Sequence, residues 1–455
     1  MASISVHSDM LAYFISSTNV SLYKIKIMKR LLSIILILLA SSLFAQDTVR
    51  IMHYNLMYYG QTSSYCTTTN NPEASKNGYL KTIIKYVKPD IFTANEVAPN
   101  SVKHQLLLDN CLNVDGVTHY KKCNLSNLSN SDLSNELFYN SDKLGFCSQV
   151  NIPTSVRDIN IYRLYYKAGN LNTTHDTAYI ICIVMHLKAG NTPADASERA
   201  TQTNTMMNYL NSLGVKDNYI VMGDFNVYTS TEQCYQNLIN YSNANIRFFD
   251  PVNMPGDWNS NYSFSDYHTQ STHNNTSSTE CFASGGLDDR FDNILTSDNI
   301  INGLNHYLYL TGSYKTIGQD GNHLNKAVNY GTNNSAPSDV INALYGMSDH
   351  LPVTLNLRVN QTAGINEISS PNIINVMFNN PVKENMNLKI QLNEKSKLTL
   401  NIINIIGQQL YSKEIEVSGT VLNYSLPTID LSNGIYFLKI SDNNKNSLIK
   451  KFIKE

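Results

Sequence analysis

Apolar and polar positions divide the chain into two regions with different periodicities. In residues 48–357, short apolar runs alternate with stretches in which apolar residues recur every three or four positions. The runs predict strands and the recurring spacing predicts helices. Strands are predicted at residues 49–54, 91–94, 180–185 and 219–222, and helices at residues 80–87 and 198–213. Because strands that alternate with helices are typical of an α/β domain, we expect such a domain here.

The region that follows has no helical period. Its short alternating segments, at residues 388–390, 398–402, 415–417 and 435–440, predict a small C-terminal β-sandwich. The polar stretch between the two regions predicts a linker at residues 359–370. We therefore expect two folded units, one at residues 46–358 and one at residues 371–455.

The N-terminal segment has the features of a secretory signal peptide at residues 28–45. A basic pair precedes a short apolar run, which is too brief for a comfortable membrane span, and Ala45 precedes the expected cleavage point. Residues 1–27 have no matching role, and we expect them to be an upstream extension from a start codon assigned too early. No second long apolar segment follows, so we expect a mature chain without a transmembrane segment.

Charge and cysteine content narrow the classes of function. The formal net charge of −2 lacks the basic excess expected of a dedicated duplex-DNA binder. Seven cysteines in an exported chain permit disulfides, and the odd number leaves at least one unpaired. Cys111 and Cys123 are close enough in sequence for a local bridge, although the pairing stays open. Cys182 lies within an apolar run and is expected to be a buried thiol, and no Cys-x-x-Cys spacing predicts a zinc site.

Polar side chains follow three of the apolar runs, at the points where strands should end. They are Glu96, the pair Asp224 and Asn226 on either side of a Phe, and the neighbours Asp349 and His350. Carboxylate and amide oxygens are ligands that suit Mg²⁺, and a histidine can take a proton from water near neutral pH. Each residue alone would be an ordinary strand-end or turn residue. Together their side chains could hold a metal, a water and a phosphate, which are the components of metal-assisted phosphoester hydrolysis.

These residues and their order resemble the endonuclease/exonuclease/phosphatase superfamily, which includes DNase I-like enzymes. The resemblance implies a four-layer α/β sandwich of two packed mixed β-sheets flanked by helices. It implies that Glu96 is the principal ligand of Mg²⁺, that Asp349 approaches the metal side, and that Asn55 orders a metal-bound water or a phosphate oxygen. Mn²⁺ or Ca²⁺ could replace Mg²⁺.

The resemblance also assigns the proton transfers. His350 is the general base and Asp292 orients it, with Asp288 and Asp289 as competing choices that are expected to be loop acids. Some schemes give the role of base to Asp224 instead.

The remaining assignments concern the phosphate and the leaving group. Asp224 and Asn226 orient the attacking water and hold phosphate, and His186 stabilises the transition state or the leaving group. Arg157 weakly matches an arginine that contacts phosphate. AP endonucleases carry Asn at the position of His186, which disfavours their specialised activity here.

The C-terminal unit resembles the type A sorting domain of the type IX secretion system. Short phrases at residues 380–382, 405–409, 429–432, 434–436 and 450–452 match in order. The alternative is a carbohydrate-binding or adhesion module. The resemblance implies recognition by the type IX machinery and a secreted or cell-surface location after export through the periplasm.

The sequence therefore predicts a secreted, metal-dependent phosphoesterase, foremost an extracellular endonuclease of DNA or RNA. The alternatives are a sphingomyelinase or other phospholipase-C-like enzyme, an inositol-phosphate phosphoesterase, and a catalytically silent surface-binding protein with the same fold. Against the lipid reading, the chain has one Trp and no evident membrane-inserting hairpin. The fold alone would not decide the substrate.

Overall fold

The computed structural model describes residues 47–168, 171, 176–274, 281–359, 373–404, 408–443 and 447–455. The predicted signal peptide, the upstream extension and nearly all of the predicted linker lie outside these residues.

Twenty strands and six α-helices are defined here in chain order, within the described residues. The strands are β1 Thr48–Tyr59, β2 Ile91–Val97, β3 Tyr120–Lys122, β4 Ser134–Asn140, β5 Leu144–Ile152, β6 Ile159–Tyr166, β7 Tyr179–His186, β8 Tyr219–Asp224, β9 Phe248–Phe249, β10 Asp292–Ser297, β11 Tyr307–Tyr309, β12 Lys315–Thr316, β13 Val353–Val359, β14 Ile373–Met377, β15 Asn385–Leu392, β16 Ser396–Asn404, β17 Gln409–Val417, β18 Val421–Pro427, β19 Gly434–Ser441 and β20 Ser447–Lys454. The helices are α1 Glu73–Val87, α2 Ser101–Leu107, α3 Pro193–Leu213, α4 Gln233–Ile239, α5 Asp298–Ile301 and α6 Ser338–Met347.

The first thirteen strands form two mixed sheets. The first sheet has the order β11-β13-β1-β2-β4-β3, with β12 also paired to β13, and the second has the order β5-β6-β7-β8-β10-β9. In each sheet one central pair is parallel, β1 with β2 and β7 with β8, and the other pairs are antiparallel. The carboxyl ends of each parallel pair therefore lie side by side.

Three apolar clusters divide this region into four layers. Ile51 and Leu355 of the first sheet pack with Cys182 and Met222 of the second, which places one core between the sheets. Helices α1 and α6 cover the outer face of the first sheet. Helices α3 and α4 cover the outer face of the second sheet. The four-layer α/β sandwich is confirmed.

Local sequence explains where the elements begin and end. Helix α3 begins earlier than the predicted residue 198, because Thr192 and Asp195 form a reciprocal capping box at its start. The helix ends at Gly214, whose φ of 63° is the left-handed conformation that glycine adopts readily. Strand β1 continues past Asn55 to Tyr59, which the apolar run did not predict.

The C-terminal unit is a separate β-structure. Strands β14, β15 and β18 form one antiparallel sheet, and β17, β16, β19 and β20 form another. Their apolar side chains, such as Leu388, Leu400 and Leu438, form one core of their own. The predicted small β-sandwich is confirmed. Of the helices in the described part of the chain, none is both long and apolar enough to cross a membrane.

One disulfide joins Cys66 to Cys281. Cys111 and Cys123 are both unpaired and buried, so a local bridge between them is wrong. Cys182 is buried between the sheets as predicted, and burial raises the pKa of its thiol.

We predict that Gly223→Ala destabilises the α/β region. Gly223 has a φ of 157°, and an added Cβ would lie 1.8 Å from the carbonyl oxygen of Met185 on the adjacent strand. We expect a loss of at least about 2 kcal/mol in the free energy of unfolding. The fluorescence of Trp258, the only Trp of the chain and fully buried, would report urea-induced unfolding of this region.

Gly78→Ala is the matched control. Gly78 lies on helix α1 with nothing within 4 Å of its added Cβ, so this substitution should stabilise the helix by about 0.5–1 kcal/mol. Equal effects of the two substitutions would contradict the steric explanation.

Candidate active site

The two parallel strand pairs deliver polar side chains to one cleft. Strand register places Asn55 beside Asn95 on the first sheet, and His186 beside Asp224 on the second. Strand β10 runs antiparallel to β8 and begins opposite Asp224. The cleft has a volume of about 550 Å³ and is lined by Met57, Tyr58, Tyr65, Glu96, Leu133, Arg157, His186, Ala189, Asp224, Asn226, Gln270, Cys281, Phe282, Ala283, Ser284, Asp349 and His350.

Asn55 links two acids that come from different sheets. Its amide Nδ2 donates to Glu96 Oε1 and to Asp224 Oδ2, both at 3.0 Å. Its Oδ1 accepts the backbone N–H of Met57 at 3.0 Å. In this orientation Asn55 donates hydrogen bonds to both acids and holds them together. Its Oδ1, the atom that would bind a metal, instead accepts from the backbone of Met57.

The Asp224–Asn226 segment forms a tight turn after β8. Asp224 Oδ1 accepts the backbone N–H of Asn226 at 3.0 Å, and Asn226 has a φ of 51°. The backbone N–H of Asp224 donates to Asn95 Oδ1 at 2.9 Å. Phe225 between them is fully buried in the core beside α3 and α4. The Phe anchors the turn, while the two polar side chains face the cleft.

His350 is held by Asp292, as the sequence predicts. His350 Nδ1 lies 2.7 Å from Asp292 Oδ2, and the other oxygen of Asp292 lies 3.6 Å from His53 Nε2. Asp288 and Asp289 contact Ser260 and Asn259 instead. The structure therefore brings Asp292, and neither competing acid, to His350.

The neighbours of His350 favour different protonation states of its ring: nearby acids favour the charged form, and the contact with Gln270 favours the neutral form. Although burial works in the other direction, the negative charges of Asp292 and Asp224 raise the pKa of His350 well above its usual value. The amide Nε2 of Gln270 lies 2.7 Å from His350 Nε2, a contact that only a neutral ring can accept. Any cation that offsets the charge of the acids favours the neutral ring, which is the form a general base requires.

Asp349 lines the cleft next to Ser348, whose hydroxyl donates to the backbone carbonyl of Asn55 at 2.7 Å. Its Oδ2 accepts from Gln270 Nε2 at 3.2 Å and from the backbone N–H of Ala283 at 3.1 Å. Its Oδ1 is buried and has no hydrogen-bond partner among the described residues. A buried carboxylate oxygen without a partner is costly, and a bound cation would relieve that cost.

His186 and Arg157 complete the cleft. His186 Nε2 lies 3.5 Å from Asp224 Oδ2 and 3.9 Å from Glu96 Oε1. Burial lowers the pKa of His186 well below its usual value, and the charge of Arg157 adds to this. This lowered pKa favours the neutral form of His186. Arg157 donates to the carbonyl oxygen of Leu187 at 3.4 Å and lines the cleft.

The donor set fits a divalent cation. Ligand atoms of Glu96, His186 and Asp224 all lie within 4.8 Å of one another. Burial raises the pKa of Glu96, and it raises the pKa of Asp224 to about 7, so both acids gain from a compensating positive charge. The predicted metal residues were Glu96, Asp349 and Asn55. Of these, only Glu96 belongs to the group of close ligand atoms, whose other members are His186 and Asp224.

Three residues of the site were not predicted from the sequence: Gln270, Asn95 and His53. Gln270 comes from the connection between β9 and β10, where no hydrophobic period distinguishes one residue from its neighbours. Asn95 precedes Glu96 and holds the backbone of Asp224. His53 could have been predicted, because it lies two residues before the candidate Asn55 on the same strand, and residues two apart on a strand face the same side.

Comparison with known proteins identifies the C-terminal unit. Residues 376–455 match the model of the secretion system C-terminal sorting domain. The chain is therefore addressed to the cell surface or the extracellular space. No curated protein sequence matches the chain significantly.

Three of the solved structures that are similar to this chain show the same fold over its first region. The human nocturnin catalytic domain with bound sulfate is 15% identical, covering 70% of this chain and 98% of that one, with a TM-score of 0.42. TDP2 from D. rerio in complex with a single-strand DNA product is 13% identical, covering 69% and 100%, with a TM-score of 0.43. Mannosyl-6-phosphatase Bt3783 from Bacteroides thetaiotaomicron is 16% identical, covering 68% and 99%, with a TM-score of 0.39. At such identities, activity does not follow from the likeness, and the geometry of the site must supply it.

We predict that Glu96→Gln weakens binding of Mn²⁺ at least about 10-fold, because even an interaction that supports a metal ligand is worth that much. Isothermal titration calorimetry on the mature chain measures this. Asp288→Asn is the matched control, since Asp288 contacts Ser260 outside the group of close ligand atoms. Equal affinities of the two variants would contradict the assignment of Glu96.

Proposed function

We propose that this protein is a secreted, divalent-metal-dependent phosphodiesterase that cleaves extracellular nucleic acid. The observation that carries the proposal is the convergence of the Asp292–His350 pair with Glu96, Asp224 and Asn226 in one cleft. A proton acceptor, acids suited to a cation and amides suited to phosphate are the groups that hydrolysis of a phosphodiester requires. A silent binding protein would have no need of so many buried acids.

The geometry of the cleft suggests a catalytic role for each residue. A bound Mg²⁺ would neutralise phosphate charge, with the carboxylates of Glu96 and Asp224 as the nearest holders and Asp349 on the same cleft. His350 Nε2 takes the proton of the attacking water while Asp292 fixes its tautomer. Asp224, with a pKa of about 7, is the second candidate for the base. Neutral His186 donates to the leaving oxygen or to the transition state.

The walls of the cleft favour nucleic acid over lipid. Tyr58, Tyr65 and Phe282 line the cleft, and flat aromatic side chains stack on bases whatever their identity. Arg157 adds a cation suited to a phosphate. Trp258 is fully buried and is therefore not available for insertion into a membrane.

A substrate comparison tests the proposal. Purified mature protein with Mg²⁺ should cleave plasmid DNA or RNA and leave sphingomyelin and an inositol phosphate largely intact. EDTA should abolish cleavage, and Mg²⁺ or Mn²⁺ should restore it, because the ligands are mainly oxygen donors. Full activity in EDTA would exclude the mechanism, and preference for sphingomyelin would exclude the substrate class.

We predict that His350→Ala lowers kcat roughly 10²–10⁴-fold, since it removes a positioned proton acceptor. Affinity for Mn²⁺ should change little, because His350 is outside the group of close ligand atoms. Initial rates and calorimetry on the same preparation separate the two quantities. A His350→Ala variant whose activity returns at high Mg²⁺ would show that the residue serves the metal and is not the base.

A further inference from the structure

The only disulfide among the described residues joins two segments that both line the cleft. Cys66 follows the end of β1 and Cys281 precedes the segment 282–284, and both cysteines are buried. Met57 packs against the bridge, and Tyr58 and Phe282 pack around it. The bridge therefore lies beside the site, where it can act on the shape of the cleft.

The first segment holds Glu96. The backbone N–H of Tyr58 donates to Glu96 Oε2 at 3.1 Å. Tyr58 and its neighbour Met57 have φ values of 52° and 41°, which are left-handed conformations that side chains other than glycine rarely adopt. Surrounding contacts must hold this conformation, and the cluster around the bridge is one of them, together with Lys76, which donates to the carbonyl oxygen of Met57 at 2.6 Å.

The second segment holds Asp349. The backbone N–H of Ala283 donates to Asp349 Oδ2 at 3.1 Å. Ala283 is itself exposed, and its carbonyl oxygen accepts from Ser271 Oγ at 2.7 Å. Phe282 stacks on His273 at 4.3 Å between ring centroids. Among the described residues, these contacts and the bridge hold this segment, so its position should depend in part on Cys281.

Each joined segment thus supplies one backbone N–H to one acid of the cleft. We propose that the Cys66–Cys281 disulfide is a positioning element for Glu96 and Asp349, and that breaking it weakens cation binding by the cleft about 10–100-fold, the usual effect of losing groups that orient metal ligands. This inference rests on the proposed function, because it takes the cleft to bind a divalent cation.

The competing explanation is that the disulfide only stabilises the fold and does not position the acids. A disulfide stabilises a protein mainly by restricting its unfolded chain, and this bridge spans 215 residues. Such a role would lower the unfolding temperature of the variant and leave the cation affinity of the folded protein unchanged. The decisive quantity is therefore the affinity of folded protein, measured well below the unfolding transition.

The experiment compares the mature wild-type chain, the double variant Cys66→Ser/Cys281→Ser and the control Cys147→Ser, which removes an exposed free thiol. Calorimetry with Mn²⁺ as the probe gives affinity, and Trp258 fluorescence verifies the fold. The double variant should bind Mn²⁺ about 10–100-fold more weakly, and Cys147→Ser should bind like wild type. Treatment of wild type with a dithiol, which passes two electrons and two protons to the bridge and leaves two thiols, should give the same loss.

If the double variant does not fold, a second variant tests whether the segment joined through Cys281 contributes to cation binding. Ala283→Pro keeps the bridge and removes the N–H that donates to Asp349, so it should also weaken Mn²⁺ binding. Unchanged affinity in folded protein that lacks the bridge, or in Ala283→Pro, would overturn the inference while leaving the proposed function standing. Failure of oxidised wild type to bind Mn²⁺ would overturn the proposed function and this inference together.

Discussion

Four carboxylates buried around one cleft, those of Glu96, Asp224, Asp292 and Asp349, are the constraint on which this structure depends. Each loses hydration on burial, and their like charges repel one another, so the surroundings must supply compensation. The compensation comes from the Asn55 amide, from backbone N–H groups and from histidines. Two sheets are needed because no single strand end could bring all these groups together.

The same environment shifts the pKa values of the two histidines of the cleft in opposite directions. His350 lies between Asp292 and Asp224, and their charge outweighs the effect of its burial. His186 has acids at 3.5–3.9 Å, but burial and the positive charge of Arg157 lower its pKa. Two imidazoles whose pKa values are shifted in opposite directions can handle two protons in different ways. This difference depends on position within the cleft and not on residue type.

Much of the site could be predicted because its residues stand where apolar runs stop. Glu96, Asp224, His186 and Asp292 all lie at or near strand ends, and strand register then fixes their proximity. The alternating periods predicted an α/β domain, whereas the two packed sheets of the four-layer sandwich were implied by the family resemblance. Gln270 was not predictable, because its loop has no period that would orient a side chain. The direction of the Asn55 amide was not predictable either, since it depends on which acids a distant strand delivers.

The separation of Cys66 and Cys281 along the chain has a consequence for the order of folding. Between them lie β2 to β9, which include all strands of the second sheet except β10. Two thiols so far apart meet rarely in an unfolded chain, because closing a long loop costs entropy. The two cysteines become neighbours once both sheets have docked. We therefore expect the bridge to form late in folding, when the α/β region is already assembled. Glu96 and Asp349 should in turn reach their final positions only after this last step of assembly.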